Sequence, residues 1–466
     1  MTLRASVVWT GMATWRWSLV SVVASVGLLA LFVRIGGDWD WLVAMGDHVR
    51  ATRTVPDEVP FAVAETSGWH NVPVLAEVTA SVLHDLGPRA PVLAHLVAVT
   101  VAVLVLAVAA RARGGSDAYA ASAVALLCLG GLAAFGVVRA QSLSFVPFAL
   151  MVALVSSQSR CPDRRIWWAV PLVVLWGNLH GAALLGVCVL GAYLLVQRTR
   201  THLWESVGVG AASLLALCAT PQLWRTPLYY AEVFDNVSAQ RGEGLWARPS
   251  PAMPFDVVML VAAALLLAVL LRSRRTAWEY VAALGLCVTT ASAARHGVWV
   301  LCLLVVLAVR SSEPRDTGVA RERPAHASGA PRGPVAAVVV AAVALAVALP
   351  VALTRGEDVL GQPSAVVREV AAEVGQQVAL VPAPLSEALA VEGVRLWATN
   401  PLDAFTHRDQ AAYLDFLDGR PGGLVAVAAA DVVVARDGSA QAALVEDDQD
   451  FEARPCGEGW ICFVRR

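Results

Sequence analysis

Long apolar runs separated by short polar connections dominate this chain. Eleven runs stand out, near residues 17–35, 90–110, 117–138, 142–158, 166–180, 181–197, 205–220, 255–272, 277–294, 297–310 and 334–354. A helix needs about 20 apolar residues to cross a bilayer, and fewer inside a bundle. The pattern therefore predicts an α-helical polytopic membrane protein with about eleven spans.

Arginines mark alternate connections. Arg111 and Arg113 follow the second run, Arg160, Arg164 and Arg165 the fourth, and Arg198 and Arg200 the sixth. Arg272, Arg274 and Arg275 follow the eighth, and Arg310, Arg315, Arg321 and Arg323 the tenth. All of these connections lie on one side, which the positive-inside rule makes cytoplasmic. The N-terminus is then cytoplasmic, and three segments face outward: a first loop (36–89), a loop at 221–254 and a tail (355–466). The first run, about Trp17 to Val33, follows Arg4 and Arg16 and lacks a convincing small-residue cleavage site. It reads as a retained signal anchor.

The expected organisation is a transmembrane core (1–310), a cytoplasmic linker rich in Arg, Pro, Gly and Ser (311–333), a last span (334–354) and an extracytoplasmic domain (355–466). In that last part short β-like runs (Val378–Val381, Val432–Ala435, Ile461–Val464) alternate with helical ones (Ala365–Val374, Arg408–Leu417, Ala440–Val445). The alternation predicts a small α/β domain. Cys456 and Cys462 flank a Gly-Glu-Gly-Trp turn there. An oxidising exterior permits a disulfide between them, with two free thiols as the other reading.

Composition agrees with the pattern. Residues are 57% hydrophobic and only 15% charged, against about 25% charged in soluble domains. The net charge of −2 offers no basic field for nucleic acid. Every basic side chain other than histidine is Arg, and Ala, Val and Leu abound, which fits a GC-rich bacterial coding sequence. The expected location is the inner (cytoplasmic) membrane, facing the cell envelope. Cys128, Cys188, Cys218, Cys287 and Cys302 lie in apolar runs and read as small core residues.

Polar residues gather on the outward side. The first loop runs Gly36-Gly-Asp-Trp-Asp-Trp41, then Val55-Pro-Asp-Glu-Val-Pro-Phe61, then Gly68-Trp-His-Asn71 and Glu77. Arg139 and Gln141, Asn178 and His180, and Arg295 and His296 lie in very short outward connections, and Gln240, Arg241, Glu243, Trp246 and Arg248 in the longer one. Charge at a membrane boundary is costly unless paired or used. Carboxylates supply a general base or acid, arginine forks suit phosphate, and tryptophan faces suit a sugar or the lipid interface. The set fits a phosphorylated, lipid-anchored, polar substrate. Singly, Arg139 or Arg295 reads as an interface residue that snorkels. His180 alone reads as a structural histidine, and Trp39 and Trp41 alone as aromatic-belt anchors.

In these residues the chain resembles polytopic bacterial glycosyltransferases of the GT-C superfamily. Asp38 through Gly46 match that branch's Asp-x-Trp-Trp-His-Leu-x-x-Gly stretch, and Val55 to Phe61 match its Val-Pro turn. Trp69, Asn71, Leu75 and Glu77 match a Trp-x-Asn-His-Glu-Trp-Leu-x-Glu stretch. Arg139 and Gln141 match Arg-Pro-Gln, Leu175 to Gly181 match Leu-Trp-x-Asn-Leu-His-Gly, and Arg295-His296 match a late Arg-His. The tail stretch Trp397-Ala-Thr-Asn-Pro-Leu-Asp403 resembles the branch's outer domain. Two departures remove polar groups: Leu42 replaces a histidine, and Val72-Pro73-Val74 replaces His-Glu-Trp.

The resemblance implies a membrane glycosyltransferase for hexosyl transfer from a polyprenyl-phosphate sugar to a glycan, lipid or protein acceptor. It puts the catalytic carboxylate at Asp38, with Asp40 the close alternative. Arg139, His180, Arg295 and His296 would hold the donor phosphate. Trp69, His70, Asn71, Glu77, Gln141, Asn178 and Trp246 would contact substrate. Asp38 and Asp40 are of the type that binds a hard divalent cation, though no ligand constellation requires one. The alternative is a non-catalytic protein on the same scaffold that binds a lipid-linked glycan or a cell-envelope partner. A transporter ranks last, since no inverted repeat is evident. The enzyme reading requires Asp38, Arg139, His180 and Arg295 to converge within one cavity open to the outer leaflet.

Overall fold

The structure, a computed structural model, describes residues 14–66, 68–309, 332–356 and 360–466. The expected linker at 311–333 lies outside them, apart from Arg332 and Gly333 at the start of the last long helix. From the N-terminus the principal elements are α1 (Arg16–Phe32), β1 (Arg34–Ile35), α2 (Gly37–Thr52), α3 (Val74–Asp85), α4 (Ala90–Ala112), α5 (Asp117–Gly130), β2 (Val137–Val138), α6 (Phe145–Arg160), α7 (Ala169–Gly177), α8 (Ala183–Val196) and α9 (Leu203–Leu217). Then come α10 (Thr226–Asp235), α11 (Pro254–Leu271), α12 (Ala277–Ser292), α13 (Gly297–Leu307) and α14 (Arg332–Leu353). The tail adds α15 (Ser364–Val374), β3 (Ala379–Leu380), α16 (Leu385–Val391), α17 (His407–Leu417), β4 (Val432–Arg436), β5 (Phe451–Pro455) and β6 (Trp460–Arg465).

Each apolar run contains one of these helices. Five helical stretches are long and apolar enough to cross a bilayer by length and composition: Ala90–Ala112, Ala140–Arg160, Ala183–Arg200, Pro254–Leu271 and Val335–Leu353. The other apolar helices are shorter. Two of the expected spans end earlier than their hydropathy suggests. The run at 17–35 stops being helical at Phe32, and that at 117–138 breaks at Gly130. Their last residues become β1 and β2, which pair in parallel, Arg34 with Val137 and Ile35 with Val138. Hydropathy registers only that these residues are apolar; their partners in space decide that they are strands.

Aromatic rings fill the helical core. Trp176, Trp278 and Trp299 are fully buried. Trp299 lies against Phe145 and Phe148, and Trp176 meets Phe148 edge-on. At one end of the bundle the expected cytoplasmic arginines are tied down. Arg113 pairs with Glu279, Arg160 donates to Ala112 O, Arg275 donates to Val309 O, and Arg198 pairs with Glu205 at 2.7 Å.

At the other end the first loop is more ordered than its polar sequence implies. It contains α2 and α3, which cross at Gly46. A Cβ on Gly46 would sit 2.1 Å from Glu77 O. Asp38 and Asp40 lie in the first turn of α2, where carboxylates favour a helix N-terminus. Its buried face runs from Trp39 through Gly46, broken only by half-buried Asp40. The loop then joins the tail: Val63 N donates to Leu396 O at 2.8 Å, Ala64 N to Trp397 O at 2.9 Å, and Leu396 N to Phe61 O at 2.9 Å. The tail carries a four-stranded mixed sheet in the order β3-β4-β6-β5, with β3 and β4 parallel and the others antiparallel. Cys456 and Cys462 are disulfide-bonded across the β5–β6 turn, with Cα atoms 5.7 Å apart. The loop at 221–254 docks on the tail as well: Val237 N donates to Gln410 Oε1 at 2.8 Å, Arg241 pairs with Asp415 at 2.7 Å, and Arg420 with Glu243 at 2.9 Å. The three segments expected on one side therefore meet.

The α2–α3 crossing gives a stability test. Gly46→Ala forces a Cβ onto the Glu77 carbonyl and should cost about 1–3 kcal/mol, read as a lower midpoint of thermal unfolding in detergent. Gly191→Ala, where a Cβ would meet nothing within 4 Å, should leave that midpoint unchanged or raise it. An equal fall in both would contradict the close crossing.

Candidate functional site

The candidate site begins at the β1–β2 pairing. Arg34 N donates to Gly136 O at 3.0 Å and Gly36 N to Val138 O at 2.9 Å. Asp38 follows two residues after Gly36, and Arg139 directly follows Val138. The ladder thus brings the two turns together although about a hundred residues separate them in sequence. Gly36 is required here, because a Cβ would lie 2.7 Å from Val137 Cγ1. Asp38 is within electrostatic reach of both Arg139 and Arg295.

The Arg139 turn is fixed by a buried relay. Arg139 N donates to Ser142 Oγ at 3.1 Å, Ser142 Oγ lies 2.8 Å from His95 Nδ1, and His95 Nε2 lies 2.8 Å from Phe135 O. One tautomer satisfies all three contacts, with Nε2 donating. Gln141 links the two arginines: its Oε1 accepts from Arg139, and its Nε2 donates to Arg295 O at 3.3 Å. The Arg295 guanidinium lies 3.7 Å from the ring centroid of Trp246, which also meets His296 edge-on at 6.2 Å. A stacked cation on an aromatic face holds one orientation while its edge stays free to bond.

His180 joins the same group, within electrostatic reach of Arg295, Arg139 and His296. Its turn is held from below by Trp176, whose Nε1 donates to Ser144 Oγ at 2.8 Å and whose ring covers Gly186, where a Cβ would be 2.2 Å from Cζ3. His180 Nδ1 accepts from Ala182 N at 3.1 Å. Asn178 is not brought into the group by any contact. Its amide donates to Val174 O at 2.8 Å and Ala219 O at 2.7 Å, closing helix ends.

The other predicted contact residues lie deeper. Trp69 is buried and its Nε1 reaches Asp403 Oδ2 at 3.4 Å. His70 is buried with Nδ1 2.8 Å from Glu232 Oε1. Asn71 and Glu77 are fully buried and bonded to each other, Nδ2 to Oε2 at 3.1 Å. Among the described residues His70 Nε2, Asn71 Oδ1 and Glu77 Oε1 have no hydrogen-bond partner. Leu42 and Val72, at the two departures, lie in the core.

Several site residues escape sequence reasoning. Glu387 on α16 is fully buried, takes hydrogen bonds from Asn400 Nδ2 at 2.5 Å and Ser386 Oγ at 2.9 Å, and faces Asp38 and Asp40 electrostatically. Asp403 and Tyr229 lie within reach of Arg295. The Trp397–Asp403 stretch gave a signal for Asn400 and Asp403. Nothing distinguished Glu387 from a solvated acid on an amphipathic helix, or Tyr229 from an interface aromatic. Burial, and after it the charge of Glu387, pushes the Asp40 carboxyl up to about 7. Burial pushes Glu77 up to about 8 against the lowering effect of Asn71. It also raises Glu387 and Asp403. Among the described residues no group of three or more His, Cys, Asp or Glu side chains is arranged to hold a metal ion.

The fold has counterparts among solved structures. The chain matches ArnT from Cupriavidus metallidurans, solved bound to undecaprenyl phosphate, at a TM-score of 0.50 and 14% identity, over 97% of this chain and 98% of that one. It matches the arabinofuranosyltransferase AftD from Mycobacteria at a TM-score of 0.51 and 15% identity, over 97% of this chain and 40% of that one. The chain has a GT-C-like, multi-pass helical membrane fold. Neither the sequence models of known families nor curated protein sequences give a match.

The raised acids predict how stability varies with pH. Glu77 binds a proton more tightly folded, near pH 8, than at its ordinary value of 4.5. The native state therefore holds more protons between these values, and the contribution of Glu77 to stability is full below about pH 4.5 and lost as pH rises through 8. Glu77→Gln, which keeps an oxygen for Asn71, should raise the unfolding midpoint relative to wild type at pH 8.5 and show no such gain at pH 5. A gain that does not depend on pH would contradict a neutral, buried Glu77.

Proposed function

We propose that this chain is a membrane glycosyltransferase that takes a sugar from a polyprenyl-phosphate donor at the outer face of the cytoplasmic membrane. The observation that carries this reading is the gathering of Asp38, Arg139, Arg295 and His180 from four separate outward connections. An acid beside two permanently charged forks at a bilayer boundary is what transfer from a lipid phosphate needs. The GT-C-like fold and the undecaprenyl phosphate bound to ArnT support the lipid carrier.

On this reading Asp38 is the general base. It takes the proton of an acceptor hydroxyl as that oxygen bonds to the anomeric carbon. The bond from that carbon to the phosphate oxygen breaks, and its electron pair leaves with the phosphate. Arg139 and Arg295 stabilise the charge that builds there, with His180 and His296 beside them. Trp246 orients Arg295, and Gln141 spaces the two arginines. His70, Asn71 and Glu77 are assigned to substrate contact by the resemblance alone, since their side chains are buried. The chain spans the membrane about eleven times, with its N-terminus cytoplasmic and residues 355–466 forming an extracytoplasmic α/β domain. The meeting of the three outward segments and the Cys456–Cys462 disulfide support that orientation.

One observation favours the second reading, a non-catalytic scaffold that binds a lipid-linked glycan or an envelope partner. Leu42 and Val72 are packed into the core where the resembled branch carries polar groups.

Transfer of labelled sugar from a lipid-linked donor in proteoliposomes separates the readings. Asp38→Asn should lower the rate about 10²–10⁴-fold, as for loss of a general base, and Arg295→Ala about 10²–10³-fold, as for loss of an oxyanion donor. Full transfer by Asp38→Asn would remove the centre of the mechanism. In the producing organism, deletion should cause the lipid-linked donor to accumulate; no accumulation and an unaltered envelope glycan favour the binding scaffold.

A further inference from the structure

The tail contributes more than cover. Glu387 sits on α16 with its carboxyl directly behind Gly37, the residue that precedes Asp38. A Cβ on Gly37 would lie 3.1 Å from Glu387 Cδ, 3.2 Å from Oε2 and 3.0 Å from Pro384 Cβ. There is thus room for backbone only, and α16 presses on the first turn of α2. The carboxyl cannot swing away. Asn400 Nδ2 holds Oε1 at 2.5 Å, Ser386 Oγ holds Oε2 at 2.9 Å, and Thr399 Oγ1 holds Ser386 Oγ at 2.9 Å. Ser386 Oγ also lies 3.3 Å from Tyr413 Oη, which donates to Val381 O at 3.0 Å.

The titratable groups within its electrostatic reach include Asp38 and Asp40 from α2 and Tyr413 from α17. Asp38 is also within reach of Arg139 and Arg295.

We propose that Glu387 is a positioning residue for glycosyl transfer: it reaches from the tail to the first turn of α2 and fixes the turn that presents Asp38. The active centre is then completed by a domain distant in sequence. The inference rests on the transferase reading.

The test uses the full-length protein in proteoliposomes, with wild type, Glu387→Ala, Glu387→Gln and Asp38→Asn, and polyprenyl-phosphate sugar as the varied substrate. Glu387→Ala should lower kcat at least tenfold with less than a threefold change in KM for the lipid donor. Glu387→Gln keeps the shape and the Asn400 contact, so it should recover most of the rate near pH 6. A Glu387→Gln rate as low as that of Glu387→Ala, or a Glu387→Ala defect confined to thermal stability, overturns the role of Glu387. No transfer by wild type, or full transfer by Asp38→Asn, overturns the transferase reading and this inference with it. A second readout does not need turnover: a Cβ on Gly37 meets the Glu387 carboxyl, so the unfolding midpoints of Gly37→Ala, Glu387→Ala and the double variant should be non-additive, and additivity overturns the contact.

Discussion

Two backbone hydrogen bonds carry the architecture of the outer face. At the end of α1 and just past α5, the chain gives up its helix while still apolar. Amide groups released at that depth must find partners, because lipid supplies none. They find each other, through Arg34 N to Gly136 O and Gly36 N to Val138 O. The pairing is only two residues long, yet it brings the turn of the first carboxylate to that of the first arginine. It also explains Gly36, where the facing Val137 leaves no room for a side chain.

From that ladder the site grows in two directions. Toward the bundle, His95 and Ser142 pin the Arg139 turn, Trp176 pins the His180 turn, and Gln141 ties Arg139 to Arg295. Away from the bundle, the tail reaches the acids through Glu387 and reaches Arg295 through the 221–254 loop, which carries Trp246 and is clasped by Asp415 and Arg420. The arginines and acids are therefore presented by different layers. Moving the tail would disturb both at once.

Much of this was legible in the residues. The apolar runs located every long helix of the bundle, and the alternating arginines grouped the first loop, the 221–254 loop and the tail, which do meet. The isolated Arg139, His180 and Arg295 were conspicuous because charge between apolar runs is rare, and they do lie near one another. Less was legible where polarity and burial part company. Trp69, His70, Asn71 and Glu77 read as an open loop, but α3 and the tail enclose them. Asn178 reads as a substrate amide, but both its donors close helix ends. Asp38 reads as the catalytic carboxylate with Asp40 the close alternative, and both lie in the first turn of α2.

The sequence by itself determined that this is a multi-run apolar chain with one polar, acid- and arginine-bearing face, because hydropathy and charge act locally along the chain. The tertiary structure alone decided that two span ends become strands and that Glu387 and Asp403 belong with residues hundreds of positions earlier. Those outcomes depend on which backbone and side-chain groups are brought together in space, and burial multiplies the consequence of each meeting.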